Sequence, residues 1–378
     1  MSFYERVQVI FQVFGMCPTS LKRNSVDQGA SMIFWTLGQL GFVGILCFVA
    51  SKNPRDFQKA SPVNATTSIL KEILVFGVHF SVILQSLQNR RQIRKFWNEI
   101  AHIGTKTPTN WKQILMFIVY SLFAIVIHAV ILHSFARDPA LLWHWLCTVF
   151  AQLVSSAHHL QFLCFLETIY AHCDVIAAEM GKICEQTRYN RSVCDKAITA
   201  VTTVVLHQKF ARVRKVYHRL WRTRGFVNRI FGFGIMVNIS YMFVSMIADL
   251  YWIYVSIYNS TFIYIVDLLL SIVVSIFYPY LSIKSSNKCL TKIAELNFMV
   301  NNVKRESSKE LNEEVTRMSL KMFHPFTFTA NDYFKINFGL MLQIFAGLLT
   351  HLIIIIQFMP AANTDSSNQW NQWGGKTE

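Results

Sequence analysis

Seven stretches of mostly apolar residues are each long enough to cross about 30 Å of hydrocarbon as a helix. They lie at Ser31–Ala50, Thr66–Leu87, Ile114–His133, Leu141–Ile169, Phe226–Ile257, Thr261–Ile283 and Tyr333–Phe358. Hydrocarbon offers backbone groups no hydrogen-bond partner, so such stretches must satisfy their N–H and C=O groups internally, as helices. The expected fold is an all-α membrane protein with seven transmembrane helices. The fourth, fifth and seventh stretches exceed the bilayer, which predicts tilt or continuation beyond it.

Composition agrees: 53% of the residues are hydrophobic, 14% aromatic and only 15% charged, more apolar surface than a soluble fold of 378 residues hides. The formal charge of +15 does not point to nucleic acid, because the basic residues collect in blocks between the spans. Arg90, Arg91, Arg94, Lys95, Lys106 and Lys112 follow the second span, a longer series from Lys182 to Arg224 follows the fourth, and Lys284, Lys288, Lys292, Lys304 and Arg305 follow the sixth. The positive-inside rule places these connections in the cytoplasm. The N-terminus is then cytoplasmic and the C-terminus extracellular. Lys52, Arg55 and Lys59 after the first span weaken the contrast without reversing it. A G-protein-coupled receptor has the opposite orientation, which would put every large basic block on the wrong side. The sequons at Asn64 and Asn259 fall outside and that at Asn190 inside, whereas Asn238 lies within a span, out of reach of glycosylation. The apolar stretch Val7–Met16 is short, holds Gln8 and Gln12 and leads into Lys22 and Arg23, which suits a helix on the inner membrane surface better than a cleaved signal.

The organisation expected from these spans is a cytosolic segment at 1–30, transmembrane helices one to four over 31–169 and a cytosolic helical extension over 170–225. Helices five and six occupy 226–283, cytosolic anchor helices 284–332, the last transmembrane helix 333–358, and a disordered extracellular tail rich in Asn, Ser, Gln and Gly 359–378. The extension is free of proline from Asp174 to Arg224 and carries Val204, Leu206, Phe210, Val213, Val216 and Leu220 at helical spacing. Such extensions suit either an intracellular bundle of subunits or a solvated hairpin of one. The eight cysteines fall in spans or cytosolic segments and give no disulfide framework.

Polar residues inside spans are costly and face protein or water. Asp249, Tyr251, Trp252, Tyr264 and Asp267 near the outer ends of spans five and six, Trp143 and Trp145 in span four and His133 in span three are the candidate lining of an outward-facing ligand pocket. The competing reading of the Trp and Tyr residues is an interfacial anchor belt. His158 and His159 suit packing and hydrogen bonding inside the membrane rather than metal ligation, and no metal site is expected. No Walker loop or dinucleotide fingerprint is present, so no nucleotide cofactor is expected. No nucleophile, base or metal constellation marks an enzyme, and seven uneven spans do not suggest a repeat-built transporter.

The last apolar stretch ends Thr350-His351-Leu352-Ile353-Ile354-Ile355-Ile356-Gln357-Phe358, and upstream lies Phe326-Thr327-Phe328-Thr329-Ala330-Asn331-Asp332-Tyr333-Phe334-Lys335-Ile336-Asn337. These segments resemble the insect gustatory receptor family, whose signature is Thr-Tyr, five hydrophobic residues and Gln-Phe, preceded by a Phe-Thr-Ala segment. The resemblance implies a tastant-gated, non-selective cation channel in the plasma membrane of sensory neurons. Its partners would be a small-molecule tastant, the lipid membrane and other gustatory receptor subunits in a homo- or heterotetramer anchored through the intracellular helices. It further implies that Gln357 and Phe358 form the gate of a pore lined by the last helix, with Thr350, His351 and Ile354 on the way to it. A last helix buried against its own subunit fits the apolar run equally well. The family's Tyr is His351 here, which keeps a ring and adds a titratable nitrogen. The family's sugar receptors carry an acidic residue where this chain has Leu352, which favours a bitter or aversive compound over a sugar such as fructose. The insect odorant receptors, which share fold and mechanism, are the nearest alternative.

Overall fold

The computed structural model describes residues 11–14, 16, 33–42, 44–45, 48, 62–103, 111–134, 139–192, 196–258, 265–306, 309–322 and 326–357. From position 62 onward these form α1 (Pro62–Gln88), α2 (Arg90–Ile103), α3 (Trp111–Ser134), α4 (Pro139–Ser192), α5 (Lys196–Tyr258), α6 (Ile265–Glu306), α7 (Lys309–Met322), a hairpin of β1 (Thr329–Ala330) and β2 (Phe334–Lys335), and α8 (Phe338–Gln357). Among the described residues five helical segments are apolar and long enough to cross a membrane: Ile69–Gln88, Leu115–Ser134, Thr148–Tyr189, Thr202–Ile257 and Ile265–Val303. Phe338–Ile354 is a shorter apolar helix, and residues 33–42, within the first expected span, are helical as well. The expected segment 1–30 lies largely, and the expected tail 359–378 entirely, outside the described residues.

Two helices dominate the architecture. At about 1.5 Å per residue, the 54 residues of α4 and the 63 of α5 run far beyond the thickness of a bilayer. Both pack against each other and against α6, with α1 and α2 on α5, α3 against α4 and α6, and α8 resting on α5 and α6. Outside the most apolar stretches, the buried residues repeat at alternating steps of three and four. On α4 they are Ile169, Cys173, Ile176, Met180 and Ile183; on α5, Leu206, Phe210, Val213, Tyr217 and Leu220; on α6, Cys289, Ile293, Leu296, Val300 and Val303. That repeat is the seam of a coiled-coil-like bundle, in which each helix keeps one narrow apolar edge turned inward. Val204, two residues before Leu206 and so off this step, is exposed. The helix α6 does not stop at the membrane edge expected near Ile283 but continues to Glu306, passing through Pro279.

The start of the last span differs from the expected one. Tyr333 belongs to the turn of a two-stranded antiparallel hairpin, with Thr329 opposite Lys335 and Ala330 opposite Phe334, and the helix begins only at Phe338. Asn331 and Asp332 both take positive φ, 51° and 61°, and Tyr333 N–H donates to Ala330 O at 3.1 Å. Two successive left-handed residues make a tight turn that Asn and Asp tolerate better than other side chains. Asn337 then caps α8, its Oδ1 accepting from Leu340 N at 3.2 Å. A turn followed by a cap cannot be helix, which moves the start of α8 past the apolar pattern that continues through it.

The hairpin is clamped to the bundle. Asn228 on α5 donates from Nδ2 to Thr327 O at 3.2 Å and to Thr329 Oγ1 at 3.0 Å, and accepts from Thr329 N at 3.3 Å. Ser286 on α6 donates to Ile336 O at 2.8 Å. One turn along α5 from Asn228, a Cβ added to Gly232 would lie 2.7 Å from Asn331 N, so only glycine lets the hairpin backbone approach this closely. Gly232→Val is expected to push the hairpin off α5 at a cost of about 1–3 kcal/mol. A lowered melting temperature of the purified protein checks this, and an unchanged one counts against the clamp.

Candidate functional site

Polar side chains from four helices meet in one cavity within the bundle. Gln152, Ser155, Ser156 and His159 lie at steps of three and four on one face of α4, and α5 contributes Asn238 and Tyr241. His128 of α3 and Ser271 and Ser275 of α6 complete its wall. Most of these groups are held by one another. Gln152 Nε2 donates to Tyr241 Oη at 3.1 Å, Ser155 Oγ donates to Asn238 Oδ1, and Asn238 Nδ2 donates to His158 Nδ1 at 3.1 Å. His159 Nδ1 lies 3.4 Å from Ser282 Oγ, whose proton goes to Tyr278 O at 3.0 Å, so the histidine is the donor of the pair.

Two groups in the wall remain unspent. His128 is 3% exposed, and neither of its ring nitrogens has a partner among the described residues. Pro279 has no N–H, so the carbonyl of Ser275 has no helical donor. A buried imidazole and a carbonyl without its helical donor, both on residues of the wall, offer donor and acceptor capacity at a site where leaving either unmet costs about 1–3 kcal/mol. A hydrogen-bonding small molecule fits that need.

Next to the cavity stands a buried charge pair. Lys71 Nζ of α1 is 2.5 Å from Asp249 Oδ1 of α5, the aspartate side chain being 1% exposed, and Ser271 Oγ of the cavity wall donates to Asp249 Oδ2 at 2.9 Å. Asp249 therefore reaches the cavity only through Ser271. Of the other expected lining residues, those with described side chains, His133, Tyr251, Trp252 and Asp267, do not line it. Asp267 is buried and accepts from Ser134 Oγ at 3.0 Å, Tyr251 is buried with its ring edge-on to Trp252, and His133 is exposed. Trp143 and Trp145 lie on the first turns of α4, and Tyr264 lies outside the described residues. What sequence reading passed over was the step of three and four linking Gln152, Ser155, Ser156 and His159, a polar face on an otherwise apolar helix. Among the described residues no group of three His, Cys, Asp or Glu side chains is placed to hold a metal ion.

The last helix presents two faces. Leu340, Met341, Ile344 and Leu348 are buried against the bundle. The opposite face is exposed and carries Gly339, Gln343, Ala346, Thr350 and Gln357, with Gln343, Thr350 and Gln357 each seven residues apart. Residues seven apart fall on one face of a helix. Leu342, Leu349, Ile353 and Ile354 flank this stripe and are exposed as well. Thr350 Oγ1 donates to Ala346 O at 2.9 Å, and His351 Nδ1–H to Gly347 O at 2.8 Å. The His351 ring stands edge-on to Phe243 of α5 at 5.4 Å, and Gly347 faces the same phenyl ring. Phe243 follows Tyr241 and Met242 of the cavity wall, so a single turn of α5 touches both the cavity and the last helix. Phe358 lies outside the described residues.

Comparison with known proteins gives these features a context. The family described as 7tm Chemosensory receptor matches residues 6–361. A stretch of 65 residues is 40% identical to gustatory receptor 23a of Drosophila melanogaster, covering 17% of this chain and 17% of that one. The fold resembles the insect olfactory receptor OR5 from Machilis hrabei, with a TM-score of 0.71 at 9% identity over 94% of this chain and 98% of the other. It also resembles the same receptor in complex with eugenol, with a TM-score of 0.67 at 10% identity over 94% and 97%.

Removing one partner of the buried pair leaves an uncompensated charge, which costs about 3–5 kcal/mol, whereas replacing both by apolar residues is near neutral. Lys71→Met alone is therefore expected to lower the melting temperature sharply and Lys71→Met/Asp249→Leu to restore most of it. Equal melting of single and double variants would show that the pair carries no such burden.

Proposed function

The chain belongs to the 7tm chemosensory receptor family, and we propose that within it the protein is a gustatory receptor acting as a tastant-gated, non-selective cation channel of four subunits. It is a multi-pass membrane receptor and not an enzyme. In this reading it sits in the plasma membrane of sensory neurons, N-terminus in the cytoplasm, as the basic connections favour.

The observation that carries the channel reading is the exposed stripe of α8. Gln343 and Gln357 have no hydrogen-bond partner among the described residues and lie on a helix otherwise rich in Leu and Ile. An unpaired amide facing hydrocarbon costs several kcal/mol, so this face needs water or other copies of itself. Four helices around one axis meet the need, with Gly339 and Ala346 allowing close approach and the amides lining a wet path for a partly hydrated cation. Gln357 and Phe358 stand at its outer end as the gate, past the apolar residues Ile353 and Ile354. The coiled-coil-like seams of α4, α5 and α6 are suited to anchoring the subunits beneath the membrane.

The cavity walled by His128, Asn238 and Ser271 is the ligand site of this reading. A tastant that binds it more tightly in the open state shifts the population toward opening, and α5 transmits the shift through Phe243 to α8. The neighbour of known structure binds eugenol, a small organic molecule. Leu352, where sugar receptors of the family carry an acid, favours an aversive compound. The polar walls favour a second reading, a small polyhydroxylated tastant such as a sugar.

Whole-cell recording with panels of bitter compounds and sugars tests both readings. Gln343→Ala and Gln357→Ala are expected to change conductance or reversal potential of the evoked current, and His128→Phe to raise the half-maximal concentration about tenfold by removing one buried hydrogen bond. Wild-type reversal potential and conductance in both glutamine variants would overturn the pore assignment, and an unchanged dose response in His128→Phe would overturn the ligand site.

A further inference from the structure

A second cavity lies between α3, α4 and α6, next to the polar one along the same helices but with a separate lining. Its wall is apolar along Met116, Phe117, Leu160 and Leu163, and one end is charged, with Lys284 and Lys288 of α6 and Glu167 of α4. Lys284 is the first charged residue after the apolar part of α6, and both lysines are exposed. They stand one helical turn apart and so share a face. Neither has a carboxylate partner within ion-pair distance among the described residues, and Lys284 Nζ lies 5.9 Å from the centre of the Tyr280 ring. Glu167 is already engaged, accepting from Ser285 Oγ at 2.7 Å. Two cations against one carboxylate leave the charged end net positive. Beside the mouth, Leu115, Ile118, Val119 and Leu122 of α3 are exposed, an apolar surface that meets lipid.

We propose that this cavity is a binding site for one anionic glycerophospholipid, its headgroup phosphate against Lys284 and Lys288 and an acyl chain along Met116, Phe117 and Leu163. Charge complementarity selects the occupant. Basic pockets between transmembrane helices at the headgroup level bind anionic lipid heads, and a long stem ending in an ammonium group reaches that level from an apolar helix face. A neutral lipid satisfies the wall but leaves both lysines without a counter-charge, and a free phosphate satisfies the lysines but leaves the apolar wall uncovered. Because the cavity joins α3 to α6, a lipid seated there braces two helices that also wall the polar cavity. The site does not depend on the channel reading, since it rests on membrane embedding alone.

The test uses the full-length protein, delipidated in detergent, with melting temperature and retained lipid as readouts. Dioleoylphosphatidylserine is expected to bind and raise the melting temperature, while dioleoylphosphatidylcholine and inorganic phosphate at equal concentration do not. Lys284→Gln/Lys288→Gln, on an exposed face, should keep the lipid-free melting temperature and weaken phosphatidylserine binding at least tenfold. Leu163→Trp, which fills the wall and leaves the lysines in place, should block binding as well. Equal stabilisation by phosphatidylcholine, stabilisation by phosphate alone, or undiminished phosphatidylserine binding in the lysine variant would each overturn the proposal.

Discussion

Hydrocarbon supplies no hydrogen-bond partner, and most of this structure follows from how the chain meets that constraint. Long helices close their own backbone bonds, and α4, α5 and α6 cross the apolar stretches in this way before running on past them on their packed seams. Backbone that is neither helical nor wet is tolerated only where protein supplies the partners. The stretch from Phe326 to Asn337 is not helical, and protein supplies partners for its buried part while Asn331, Asp332, Tyr333 and Lys335 are exposed. Asn228 and Ser286 meet its carbonyls, Thr329 and Asp332 bond to each other at 2.8 Å, and Phe328, Ala330 and Ile336 are buried beneath it. The hairpin holds the start of α8 against both α5 and α6, so the position of the last helix depends on this clamp and not only on its own packing.

The same constraint explains where side-chain polarity is found. Asp249 is held by Lys71 and Ser271, Asp267 by Ser134, and Asn238 by Ser155 and His158. Each pairing consumes hydrogen-bonding capacity within the protein, and what remains unpaired stands out. Among residues of the polar cavity's wall it is His128 and the carbonyl opposite Pro279; on α8 it is the glutamine stripe. Unmet polar capacity in the wall of the polar cavity and on the exposed face of α8 suits a molecule that binds a ligand at the first and meets other subunits and water at the second.

Hydrophobic runs made the helices and their order legible from sequence, because span length is set by the bilayer and not by tertiary detail. The edges were less legible. Tyr333 to Asn337 continues an apolar pattern, yet two left-handed residues and a cap override it, and nothing in the hydrophobic period announces that. The candidate site was legible only in part. Asp249 and Asp267 were conspicuous as charges in spans, but each is spent on a local partner, and charge alone does not say whether a group faces a neighbour or a cavity. Ser155, Ser156 and Asn238 carry no charge and are common in helices, so their convergence needed the crossing of α4, α5 and α6 to become visible. The exposed stripe of α8 was hidden differently. Gln343 belongs with Thr350 and Gln357 by the seven-residue step, but only the burial of Leu340, Met341, Ile344 and Leu348 identifies which face is left over.

The residue at position 351 shows how position can outweigh chemical identity. The hydroxyl of a tyrosine would extend beyond the ring, whereas His351 turns its Nδ1–H back to Gly347 O and presents a ring edge to Phe243. Glycine at 347 is what lets that phenyl ring come close, since an added Cβ would stand 3.1 Å from it. The contact between α5 and α8 at this level is thus aromatic edge against aromatic ring over a glycine, and it asks for a flat side chain at 351 rather than a phenolic hydroxyl. Edge-to-face contacts of this kind are worth about 0.5–1.5 kcal/mol, enough to bias two arrangements of the helices without locking either. In the proposed channel, a weak, geometrically specific contact of this kind would suit a coupling element, because a ligand in the neighbouring cavity would have only its own differential binding energy with which to shift it.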